Sequence, residues 1–178
     1  MPERSVSNTS LPQVSTRSTL PSGAAERFVL HVTRQWVGAL TAEAGSARLA
    51  RHIDAWHRAF CVAGGPMASR HWDQFMGLVA RRSARRVNVK CCACQQMTMD
   101  ERRIVAAAGA YQNAQVERGR TILGHWFKGD GMALAEHALI LFVDHLSGSG
   151  YRLNPPTDHE TRSLTIAVLA DNTGVTIH

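Results

Sequence analysis

Between residues 26 and 146 the apolar side chains return every three or four positions, and this rhythm constrains the fold more than any other feature. Leu49, Ile53, Trp56 and Phe60 follow a 4-3-4 spacing that sets all four on one face of a helix. Arg51, Asp54 and Arg58 fall opposite them. Phe28, Val32, Trp36 and Leu40 precede them at intervals of four, ending near Gly45. After Gly64-Gly65-Pro66, a third helix carries Trp72, Phe75, Met76 and Val79. Thr98 followed by Glu101 is a capping-box pattern that opens a fourth, running through Ile104, Val105, Ala108 and Tyr111. Ile122, Leu123, Trp126 and Phe127 follow, and residues 132–146 form the most apolar helix of all.

The two ends break the rhythm. Residues 1–25 are rich in Ser and Thr and hold Pro2, Pro12 and Pro21, too little apolar surface to offset their ordering entropy. At 164–170 the period changes to LTIAVLA, then Asp171-Asn172-Thr173-Gly174, then Val175 to His178, which reads as strand, turn, strand. The expected fold is therefore mainly all-α. It is one bundle of five or six helices over residues 26–153, with a disordered tail over 1–25 and a linker and β-hairpin over 154–178.

Chemistry concentrates in one segment. Arg81, Arg82, Arg85, Arg86 and Lys90 run into Cys91, Cys92 and Cys94, and residues 81–103 alone carry a charge of +5 in a chain of net +6. Such a patch attracts nucleic acid or an acidic protein. It lacks the interleaved aromatics or base-reading motif that would specify a sequence. Three thiols in four positions suggest a soft metal, zinc ahead of an iron–sulfur cluster, with Cys61 as the distant fourth ligand and His71 or His125 as substitutes for it. The same thiols, beside cations that lower thiol pKa, also suit redox chemistry.

Other constellations are weaker. His52 and His57 lie about 140° apart on a 3.6-residue helix and cannot share a metal there. Asp54 and His57 share a side but lack the second set a di-iron bundle needs. His137 and Asp144 share a face of the 132–146 helix, yet no nucleophile motif, P-loop, dinucleotide fingerprint or zinc-protease motif accompanies them. With Leu134 and Leu141 they form an outer stripe suited to a homodimer contact. The start of the chain has no apolar signal core, and the longest apolar run, 138–143, falls far short of the roughly 20 residues a span requires. Clustered rather than spaced cysteines favour a reducing cytoplasm over a secreted disulfide framework.

The expected function is that of a small cytoplasmic regulatory or accessory protein. It would bind an anionic partner through the basic, cysteine-bearing segment and would catalyse no reaction. Two other classes compete with it: a thiol or metal redox protein built on Cys91, Cys92 and Cys94, and a structural homo-oligomer.

Overall fold

A computed structural model describes residues 20, 21, 23–166 and 175–177. Among them are seven helices and two short strands: α1 (Ala24–Leu40), α2 (Ala47–Val62), α3 (Gly65–Arg82), β1 (Val87–Val89), α4 (Met99–Gln112), α5 (Val116–Leu123), α6 (Asp130–Gly148), α7 (Asp158–Ile166) and β2 (Val175–Ile177). The fold is all-α in character, as the periodicity implied. The expected disordered tail falls mostly on residues outside those described, although Ala24 and Ala25 belong to α1.

The core forms where α3 lies along α6, with α1, α4 and α5 closing round the pair. Trp72, Phe75 and Met76 of α3 meet Leu139, Phe142 and Leu146 of α6, all wholly buried. The Trp72 and Phe142 rings pack at a tilt of 40° with centroids 4.4 Å apart. Burying one such side chain contributes roughly 1.5–3 kcal/mol, so this seam supplies much of the driving force. Phe28 of α1 joins edge-on to Phe60 of α2 at 5.3 Å.

α2 behaves differently. Its sequence has the clearest amphipathic stripe, yet only Phe60 is buried. Leu49 and Trp56 stay half-covered and Ile53 reaches solvent. The helix packs mainly on α1, and its apolar face overhangs an open cavity instead of the core.

Two expectations are corrected. Helices among the described residues number seven rather than five or six, because residues 158–166 form α7. The anticipated C-terminal hairpin does not form, since Leu164 to Ile166, assigned to its first strand, belong to that helix. Val175–Ile177 is a strand, but its partner is β1, ninety residues earlier: Val87 faces Ile177 and Val89 faces Val175 in an antiparallel register. A local turn cannot explain this pairing. It is made by tertiary packing, which buries Val87 and Val89. No helix among the described residues is long and apolar enough to cross a membrane.

Candidate functional site: a clamped Cys-x-x-Cys turn

The cysteine segment sits between β1 and α4, and two buried carboxylates at the start of α4 organise it. Thr98 caps that helix. Its hydroxyl accepts from Glu101 N at 3.0 Å while the Glu101 carboxylate accepts from Thr98 N at 2.8 Å, closing the capping box that the sequence announced. Negative charge here is also favoured by the positive end of the helix. Glu101 does more than cap, because it also accepts from Lys90 N at 3.1 Å.

Arg34, buried on α1, reaches the same carboxylate. Its Nε and Nη2 donate to Glu101 Oε1 and Oε2 at 2.7 and 3.1 Å, a bidentate pair. Its remaining donors go to the cysteine segment: Nη1 to the Cys94 carbonyl at 2.5 Å and Nη2 to the Gln96 carbonyl at 2.8 Å. One guanidinium thus ties α1, α4 and the thiol turn together. Asp100, the neighbouring carboxylate, accepts from Asn88 N at 2.9 Å and from Arg103 Nη1 at 2.9 Å, and it pairs with Arg85. Arg103 in turn donates to the Leu164 carbonyl of α7 at 2.8 Å.

Held at both flanks, residues 91–94 make a tight turn in which Cys94 N donates to Cys91 O at 3.1 Å. The turn brings Cys91 Sγ and Cys94 Sγ to 2.7 Å. Cys91 is exposed and Cys94 partly so. Their acidities diverge. The contact from the Cys94 thiol lowers the Cys91 pKa, helped by backbone N–H groups and Arg34. The same contact raises the Cys94 pKa. Partial desolvation raises that of Cys92, against opposing charges from Arg34 and Arg48. Of the two facing thiols, Cys91 is thus the more acidic.

Among the described residues the turn assembles no metal site. No group of three or more His, Cys, Asp or Glu among the described residues could ligate an ion, which overturns the zinc expectation. The geometry explains why. Cys91 and Cys94 point at each other, Cys61 lies exposed on the last turn of α2, and His71 is stacked on His145 at 5.4 Å. Residues that make up a ligand list in sequence are spread over separate elements.

The basic cluster is divided. Arg85 is committed to Asp100, whereas Arg81, Arg82 and Arg86 are exposed and form no ion pair among the described residues. Lys90 is half-buried and uses its backbone N–H on Glu101. On α6, Leu134, His137 and Asp144 face solvent and Leu141 is half-buried, so the proposed interface stripe does lie outward. Arg34 and Glu101 were missed as site residues. Glu101 was legible as a cap, but nothing local marks an arginine on α1 as the partner of a residue 67 positions away. Comparisons of the chain with protein-family models, curated proteins and solved structures find no match.

Proposed function

We propose that the protein is a thiol–disulfide exchange protein working through Cys91 and Cys94 on an anionic partner that carries a disulfide. The observation that supports this best is the 2.7 Å approach of the two sulfurs in a turn fixed by Arg34 and Glu101. A disulfide bond is about 2.05 Å long, so closure asks for less than an ångström of motion. The exposed Cys91 thiolate attacks one sulfur of the partner disulfide, forming a mixed disulfide and expelling the other partner sulfur as a thiolate. Cys94 loses its proton, the released thiolate takes one up, and Cys94 attacks Cys91 Sγ. The Cys91–Cys94 bond closes and the second partner thiol leaves. Two electrons pass from the dithiol to the partner. Arg81, Arg82 and Arg86 face solvent beside the segment and would raise the encounter rate with a negatively charged partner through their field.

Cys94→Ser should trap a mixed disulfide on Cys91, whereas Cys91→Ser should abolish reduction of a model disulfide. Peptide mapping of the oxidised wild type should find the 91–94 link. Replacing Arg81, Arg82 and Arg86 with Ala should slow exchange with an acidic disulfide peptide and flatten its salt dependence. A 91–92 or 61-containing link, or unchanged exchange in Cys91→Ser, overturns the reading.

A further inference from the structure

Helices α1, α2 and α3 enclose an open cavity of about 550 Å³, within the range of small-molecule sites. We propose that this cavity binds a flat aromatic acid, its ring between the indoles of Trp36 and Trp56 and its carboxylate on Arg70.

Four observations carry the proposal, and none rests on the thiol reading. The first is the fit of α2 to the rest of the chain. Its stripe of Leu49, Ile53 and Trp56 has the spacing of a buried face, yet only Phe60 enters the core. Ile53, Trp56, Trp36 and Leu40 line the cavity instead. Apolar area of this kind, left open over a concavity, gains by covering.

The second is that both indoles are pinned. Trp36 Nε1 donates to Asp73 Oδ1 at 2.8 Å, and Trp56 Nε1 donates to Ser69 Oγ at 2.8 Å. Trp56 also packs on Phe60 at 4.7 Å between centroids. With their polar edges satisfied by the protein, the rings present apolar surface to the cavity they line. Ordering them costs nothing further on binding, which favours a planar aromatic body.

The third is that the wall between them is seated. His52 Nδ1 donates to Gln35 Oε1 at 2.7 Å, and its ring lies so close to the α1 backbone that a Cβ on Gly38 would meet it at 2.4 Å. Only glycine admits the imidazole at that depth. The fourth is charge. Arg70 lines the cavity with Asp73 one turn away, but the two form no ion pair, and Asp73 is turned to Trp36. Arg70 is exposed and its guanidinium is open to an anion. Arg48 and Arg51 add positive charge near His52 at the adjoining end of α2, while the lining carboxylate, Asp73, is engaged with Trp36. A carboxylate suits this balance and an ammonium does not.

The test titrates the full chain with 1-naphthoate, 1-naphthylmethanol and 1-naphthylmethylammonium, read by calorimetry and tryptophan fluorescence. The expected result is one saturable naphthoate site per chain, at least fivefold tighter than the alcohol. Arg70→Ala, an exposed change, should erase that preference while leaving the alcohol's affinity unaltered. Ile53→Glu, also exposed, should weaken naphthoate at least tenfold with the melting temperature kept. Absence of saturable naphthoate binding at millimolar concentration overturns the proposal. So does equal affinity for acid and alcohol, tightest binding of the ammonium, or a preference that survives Arg70→Ala.

Discussion

Glu101 makes five contacts from one buried side chain and one backbone N–H, which makes it the residue on which the thiol turn most depends. The Glu101 side chain is wholly covered and that of its partner Arg34 nearly so, which makes this an interior ion pair. Removing one charge from such a pair costs about 3–5 kcal/mol, because the other is left buried and uncompensated. Glu101→Gln should therefore lower the urea midpoint by a corresponding amount, and it should also release the flank of Cys94. The second effect is separable, since the two thiols should react with a thiol reagent at more nearly equal rates than in the wild type. A second residue adds a pH dependence. Burial lowers the His125 pKa below 6.5, with Arg103 and Arg85 adding to the shift and Asp100 opposing it. A folded-state pKa below the unfolded value means that stability is full above about pH 6.5, where both states are neutral. It falls as the pH drops, because only the unfolded chain then takes up the proton. Between pH 7 and 5 the wild type should lose more stability than His125→Asn, as measured by denaturant titration at each pH. Equal losses would mean that His125 is protonated alike in both states.

The helices differ in how plainly their sequences announce them. α4 opens on the Thr98–Glu101 box and α3 on Gly64-Gly65-Pro66, with proline in its first turn, so their starts were legible. α7 was misread because Leu164, Ile166 and Val168 alternate like a strand. Yet Thr157 and Glu160 form a second capping box three residues apart, with Thr157 N donating to Glu160 Oε2 at 2.9 Å and Glu160 N to Thr157 Oγ1 at 3.2 Å. That signal was in the sequence and outweighs a β-branched tail. The small residues of α4 around Gly109 permit close approach, and the approaching element is extended chain. A Cβ at Gly109 would lie 2.4 Å from the Asn154 carbonyl oxygen. The segment is bound there by Asn113 Nδ2 to the Leu153 carbonyl at 3.0 Å and by Leu153 N to Gln112 Oε1 at 2.6 Å. Gly109→Ala should push this strap off α4 at a cost of about 1–3 kcal/mol, the range for overpacking a fitted interior. Gly148→Ala, with open space around it, should cost nothing by that route. Thermal melts of the two variants give the comparison.

Across the whole chain, distant segments meet at a few points that no local pattern foretells. Glu26 on α1 accepts from Asn154 N at 2.8 Å, and Arg34 meets Glu101. The β1–β2 pairing bears directly on the thiol turn, since β1 ends two residues before Cys91. On one side, β1 is bonded by Asp100 accepting from Asn88 N and by Thr98 Oγ1 donating to Asn88 O at 2.6 Å. On its other side its backbone partner is β2. Deleting residues 171–178 removes that partner and leaves the α3–α6 seam untouched. A backbone hydrogen bond contributes about 0.5–1.5 kcal/mol net, so a three-residue pairing is worth about 1–3 kcal/mol. For a chain of this size that lowers the melting temperature by roughly 2–10 °C without unfolding it. The effect should also be local. Amide exchange at Val87 and Val89 should accelerate about tenfold or more, while Asn88, whose N–H donates to Asp100, and helices α3 and α6 keep their protection. The thiol turn, still clamped by Arg34 but loosened on the Lys90 side, should show Cys91 and Cys94 closing into a disulfide more slowly under mild oxidant. Unchanged exchange at Val87 and Val89 would mean that β2 does not pair there in solution. Loss of protection throughout α3 and α6 would mean that the pairing supports the core as well as the turn.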